Sequence, residues 1–150
     1  MDIMRIYLDT CCLMRPYDDQ SQPRIHMETL AVKVVLERIR VNKWIWVASD
    51  VLVGEVLQCP IEDRRVETLN KLEYADLLAG FTKKTAILAT ELAKKGLDWV
   101  DAAHVASAEL AACDFFLSTD DTLLKGCRRI DFKLRLKAIN PVNAAMEIPT

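Results

Sequence analysis

Asp9 closes the stretch RIYLDTCCL, in which Ile6, Tyr7 and Leu8 read as a short buried strand with the carboxylate directly at its carboxyl end. In an open α/β sheet the strand ends face the crevice where ligands bind, so Asp9 is placed for chemistry rather than packing. Asp120 and Asp121 stand just past a second apolar run, in FFLSTDD. Glu55 lies inside DVLVGEVLQ among Leu52, Val53, Val56 and Leu57, an apolar setting in which a carboxylate needs a cation or a donor. Asp98 and Asp101 open DWVDAAHVASAEL, Asp98 as a natural N-cap and Asp101 at the third helical position. Taken singly, each acid has an ordinary role as turn residue, helix cap or solvated group. Taken together, without histidine or cysteine ligands, three or four carboxylates describe a site for a hard divalent cation, Mg²⁺ or Mn²⁺. The like charges are unfavourable without an ion, which would neutralise them and acidify a bound water.

Such convergence requires strand ends that meet at one edge of a sheet. After the first strand, MRPYDDQSQPRIH is a polar segment with two prolines, and METLAVKVVLERIR shows apolar residues at helical spacing. KWIWVAS is a second strand, and Ser49 is placed to cap the helix DVLVGEVLQ, which Pro60 stops. EDRRVETLNKLEYADLLAG reads as a further helix, and TKKTAILATELAKKG as another, capped by Thr82 and ended by Gly96. The alanine-rich DWVDAAHVASAELAA is a helix suited to close packing on the sheet, CDFFLSTDD is the next strand and DFKLRLKAI the last. Strands alternating with helices, without repeat or linker, predict an α/β protein: a three-layer α/β/α sandwich over a mostly parallel central sheet.

With 150 residues and 51% hydrophobic content, residues 1–150 suit a single domain that buries about two-thirds of its unfolded surface. A formal net charge of −2 leaves no global footprint for a nucleic-acid partner, so local patches must supply it. The opening MDIMRIYLD, charged at positions 2, 5 and 9, is not a signal sequence, and no apolar run approaches the roughly 20 residues of a membrane span. A cytoplasmic protein without membrane contact is expected. Cys11, Cys12, Cys59, Cys113 and Cys127 are odd in number and lack a C-x-x-C pair, so they read as reduced thiols in or near the core. A nucleophilic Cys11 or Cys12 partnered by His104 is the minor alternative.

YLDTCCL, SDVLVGEV, and DWVDAAHVASAEL running into CDFFLSTDD resemble, in order and local context, the four acidic motifs of the PIN-domain ribonucleases, the family that includes the VapC-type toxins. The resemblance spans about Arg5 to Ala138. It matches Asp9 to the first-strand aspartate, Glu55 to the helical glutamate, Asp101 to the D-A-x-H aspartate and Asp120 to the T-x-D aspartate, written here STD with Ser118 in the hydroxyl position. Asp121 adjoins Asp120 as a further ligand or its substitute. Thr10 and Ser118 would orient the carboxylates by hydrogen bonds. His104, one turn beyond Asp101 on the same helix face, could reach the site or a phosphate, with packing the favoured role, and His26 has no interpretable context. The resemblance implies a PIN-like fold and a Mg²⁺- or Mn²⁺-dependent endoribonuclease that hydrolyses single-stranded RNA, leaving a 5′-phosphate and a 3′-hydroxyl. It further implies a cytoplasmic homodimer, the toxin of a toxin–antitoxin pair with an antitoxin protein as partner.

RNA needs positive charge outside an acidic pocket. Lys125, Arg128, Arg129, Lys133, Arg135 and Lys137, against Asp131 alone, follow the fourth motif, although the same tract suits a charged sheet edge. Arg15, Arg24, Lys83 and Lys84 are further candidates. Hydrophobic helix content in residues 28–40 and 62–79 adds to the homodimer expectation. A haloacid-dehalogenase-type phosphatase would need a second aspartate where the chain has Cys11, and a receiver-type switch leaves Glu55 and DWVDAAHVASAEL unexplained. A non-catalytic PIN-like module binding nucleic acid or protein remains the alternative, against which the presence of all four acids counts.

Overall fold

Ile6, Tyr7 and Leu8 are fully buried because the strand they form, β1 (Arg5–Leu8), runs down the middle of a sheet covered on both faces. The computed structural model describes residues 3–130 and 134–149. Its other strands are β2 (Ile45–Ser49), β3 (Leu77–Ala79), β4 (Phe115–Leu117) and β5 (Lys137–Ile139), and every pairing is parallel. The spatial order is β3-β2-β1-β4-β5. Helices α1 (Thr10–Met14), α2 (Pro23–Asn42), α3 (Asp50–Leu57), α4 (Glu62–Leu72), α5 (Lys83–Lys94), α6 (Trp99–Leu110), α7 (Asp121–Arg129) and α8 (Pro141–Glu147) fill the connections. The expected three-layer α/β/α architecture is therefore present, with α2 against α8 and α5 against α6.

The apolar runs read as strands supply the core. Trp46, Val47, Phe116 and Leu117 are buried beside β1, and Tyr7 stacks on Phe116 with ring centroids 5.2 Å apart. The strand order reverses between β1 and β4, so the crevice outside their carboxyl ends is the topological switch point where such sheets bind ligands. Asp9 follows β1 and Asp120 follows β4, one on each side of it.

Several boundaries differ from the sequence reading. The helix expected over residues 62–80 ends at Leu72, and Leu77–Ala79 is instead the edge strand β3. An unpaired β2 edge overrides helix propensity here: the Asp76 amide donates to the Trp46 carbonyl at 2.9 Å, and the Trp46 amide donates to Asp76 Oδ2 at 2.9 Å. The last strand is limited to Lys137–Ile139, where residues 131–139 were expected; residues 131–133 lie outside the described residues. Just before it, the Arg135 and Leu136 amides are taken by the Glu109 carboxylate at 2.9 and 3.0 Å rather than by a neighbouring strand. Helix α2 begins at Pro23, not Met27, because a proline at the first helical position forfeits no bond. The short helices α1, α7 and α8 lie in stretches for which the sequence reading gave no helix.

Candidate metal centre

Asp9 caps α1 immediately after β1. Its Oδ1 accepts the Cys12 amide at 3.2 Å and the Cys11 thiol at 2.7 Å. Asp120 caps α7 in the same way after β4, accepting the Thr122 and Leu123 amides at 2.9 and 3.2 Å, while its own amide donates to Ser118 Oγ at 3.0 Å. Asp101 stands at the third position of α6. Asp98 occupies the N-cap position there, but its side chain accepts no capping bond, contrary to the expectation from sequence.

Asp9, Glu55, Asp101 and Asp120 line one cavity of about 370 Å³, with Thr10, Cys11, Asp18 and His104 in its wall. Glu55 is not enclosed by the apolar side chains around it in sequence. It lies half-exposed on the outer face of α3, where one oxygen accepts the Thr10 hydroxyl at 2.5 Å and pairs with His104 Nε2 at 2.7 Å. The bond from His104, followed by that from Thr10, holds the Glu55 carboxyl below its usual range against the effect of partial burial.

His104 is buried, as expected, and it also carries a polar relay. Its Nδ1 meets the Tyr7 hydroxyl at 2.6 Å, and that hydroxyl meets Ser49 Oγ at 2.7 Å. One arrangement satisfies the chain: Ser49 donates to Tyr7, Tyr7 to His104 Nδ1, and His104 Nε2–H to Glu55. Both ring nitrogens are then engaged, so the alternative Cys–His pair does not form; the Cys11 thiol bonds to Asp9 instead. Tyr7→Phe removes the hydroxyl between two buried polar partners and is expected to cost about 1–3 kcal/mol in urea unfolding.

The carboxylates perturb one another. Burial, then the neighbouring Cys11, raises the Asp9 carboxyl well above the usual range. Asp101 is pushed up to about 6, by burial first and then by the charges of Asp120 and Asp9. Clustered acids that resist ionisation in the protein alone are a donor set suited to a hard cation, whose charge favours the ionised form of each. Among the described residues, the donor atoms that already lie within 4.8 Å of one another belong to Asp9, Cys11 and Cys12. Glu55, Asp101 and Asp120 are spread more widely around the cavity, as mutually repelling groups are.

Asp121 does not line the cavity. Both of its oxygens accept from Arg24 at 2.8 Å, and Arg24 also donates to the Thr119 carbonyl at 3.3 Å. Sequence reading missed Asp18 and the brace behind it. Arg15 donates to Asp18 at 3.0 Å and to Glu28 Oε1 at 2.7 Å, while Glu28 Oε2 accepts Asn140 at 2.6 Å and Arg24 at 3.3 Å. No local signal separates this buried glutamate from the solvated acids of an ordinary helix.

The family model for the PIN domain matches residues 6–129. The chain belongs to the PIN-domain family. No curated protein matches it. Among solved structures, this PIN domain is similar to a chain of VapBC2 from Rickettsia felis bound to a promoter DNA fragment, with TM-score 0.61 and 17% identity over 91% of this chain and 98% of that one. It is also similar to a chain of FitAB bound to an IR36 DNA fragment, with TM-score 0.57 and 15% identity over 91% and 95%. DNA-bound VapBC from Salmonella typhimurium gives TM-score 0.57 and 15% identity over 93% and 99%. At these identities the likeness is one of fold.

Proposed function

We propose that this PIN domain is a Mg²⁺- or Mn²⁺-dependent endoribonuclease that hydrolyses single-stranded RNA, and that it acts as a cytoplasmic toxin restrained by an antitoxin protein. The observation that carries the reading is the meeting of Asp9, Glu55, Asp101 and Asp120 in one cavity at the sheet's switch point, from four separate segments of the chain. Asp9, Glu55, Asp101 and Asp120 would hold the ion between them. Asp121 is committed to Arg24, so Asp120 takes the fourth acidic position. When bound, the ion would neutralise the cluster and supply an acidified water and charge stabilisation at the phosphate.

The chain's own residues orient the oxygens. Thr10 and His104 fix Glu55, and Ser118 steadies the turn that presents Asp120. The restraining partner is supported by the shared fold with chains of VapBC and FitAB. A homodimer is part of the same reading. Ala31, Val32, Val35 and Ile39 of α2 belong to the chain's own core, and the stripe Met27, Leu30 and Val34 remains exposed for a second copy. No helix among the described residues is long and apolar enough to cross a membrane.

The test is cleavage of an unstructured RNA with Mn²⁺, with Mg²⁺ and with chelator; no metal-dependent cleavage at any protein concentration would leave the non-catalytic binding module standing. Acid should weaken the metal. With Asp101 titrating at about 6, a proton competes with the ion below that pH, so Mn²⁺ affinity should fall steadily as pH drops from 7 to 5. The metal-free protein should respond in the opposite sense. A carboxyl raised from 3.8 to about 6 binds its proton more tightly when folded, so its contribution to stability grows as pH falls through that window. Melting curves at several pH values, with and without Mn²⁺, read both effects.

A further inference from the structure

At the amino ends of the strands, away from the acidic cavity, a second cavity of about 650 Å³ opens between the C-terminal half of α2, the end of α4 and the start of β2. Trp44, Trp46 and Tyr74 stand in its wall together with Lys33, Lys43 and Lys71. Its size is that of a pocket for a small organic ligand.

Trp46 is the more specific observation. Its side chain is buried, and its indole Nε1 is enclosed with no hydrogen-bond partner among the described residues. Buried donors are almost always paired, so this residue of the cavity wall carries an unsatisfied polar atom in its packing.

The charges point the same way. Arg40 in the wall is paired with Glu37, and Asp76 is held by the Trp46 amide. Lys33, Lys43 and Lys71 form no salt bridge among the described residues, and the Lys71 ammonium lies over the Tyr17 ring, 5.2 Å from its centroid. Burial draws the Lys71 ammonium below its ordinary value, with Lys33 adding to the effect and Glu67 opposing it, so an anion here would relieve a crowded pair of cations. Inorganic phosphate alone would leave the aromatic wall unused. A neutral apolar ligand would leave the lysines of the wall unused. An aromatic anion uses both.

We propose that this cavity binds a nucleoside 5′-phosphate unit, its base against Trp44 and Tyr74 and its phosphate among Lys33, Lys43 and Lys71. The unit can be a free nucleotide or part of a single-stranded RNA, and stacking platforms beside cations serve either source. The site is independent of the acidic centre, which repels phosphate when no metal is present.

Calorimetric titration of the full chain with adenosine 5′-monophosphate in chelator therefore reads this cavity alone. Saturable binding to one site is expected, weakened about tenfold or more by Tyr74→Ala, and likewise by Lys33→Glu combined with Lys71→Glu, while Asp9→Asn leaves it unchanged. Tyr74 is 82% exposed, so its removal does not threaten the fold. Adenosine and inorganic phosphate should each bind at least about tenfold more weakly than the nucleotide. An RNA tetranucleotide that binds tighter than the monophosphate identifies a substrate chain as the source, and equal binding identifies free nucleotide. No saturable binding of either at millimolar concentration overturns the proposal. So does binding that survives Tyr74→Ala and is lost in Asp9→Asn. Metal-dependent cleavage can succeed or fail separately from all of these.

Discussion

Asp9→Asn should lower Mn²⁺-dependent RNA cleavage by about 10²-fold or more while leaving the fold intact. The amide retains a carbonyl oxygen that can still accept the Cys12 amide and the Cys11 thiol, so the cap on α1 survives. What disappears is a buried negative charge. In the metal-free protein that charge is a burden, as the raised Asp9 carboxyl indicates, so the variant should be as stable as the parent or more stable by on the order of 1 kcal/mol. Saturating Mn²⁺ should stabilise the parent by mass action, about 2.7 kcal/mol at a hundredfold excess over Kd, and the variant far less. Melting curves of both proteins, with and without Mn²⁺, beside a cleavage assay on unstructured RNA, separate the two roles open to this residue. If Asp9 were only a cap, metal would affect neither protein, and a loss of stability in the variant would be the sole result.

The acids that line the cavity could be singled out in the sequence because three of them sit at positions set by short-range rules. Asp9 directly follows, and Asp120 closely follows, a short apolar run bounded by polar residues, and such a run in a chain of alternating elements reads as a buried strand. Asp101 follows from the start of an alanine-rich helix. The topology then carries them together, since parallel strands deliver all their carboxyl ends to the same edge. Glu55 was found on weaker grounds. Its apolar neighbours in sequence are spread around α3, and its actual partners, Thr10 and His104, come from other elements. A helix periodicity gives the face of a residue but not what meets it in space.

What stayed hidden depends on pairings between distant segments. Leu77–Ala79 forms a strand because β2 offers an open edge, a property of the assembled sheet and not of the local sequence. The polar relay from Ser49 through Tyr7 to His104 joins three elements, and each of its members alone looks like a cap or a core residue. The brace behind the site is the extreme case. Glu28 reads as one more acid in a mixed helix, yet it is 1% exposed and gathers Arg15, Arg24 and Asn140.

That burial sets a large expected stability effect. Removing one partner from a buried ion pair leaves the others desolvated without compensation, at a cost of about 3–5 kcal/mol. Glu28→Ala should fall near the lower end, about 3 kcal/mol, because Arg24 is 54% exposed and can turn to water while Arg15 cannot do so as easily. In a chain of this size the melting temperature should drop by about 6–12 °C. Glu28→Gln keeps the shape and an acceptor for Arg15, and should lose about 1–2 kcal/mol. The effect should also reach the metal. Arg15 also holds Asp18 in the wall of the acidic cavity, and Arg24 also holds Asp121 and the Thr119 carbonyl next in sequence to Asp120, so one buried carboxylate anchors both arginines. In Glu28→Gln, which stays folded, Mn²⁺ affinity should fall by about tenfold, the scale seen when groups that orient ligands are removed. Equilibrium unfolding in urea and Mn²⁺ titration measure the two consequences independently. A Glu28→Ala variant within about 0.5 kcal/mol of the parent, the range of ordinary surface changes, would mean that Arg15 and Arg24 find solvent freely and that the brace carries no stability.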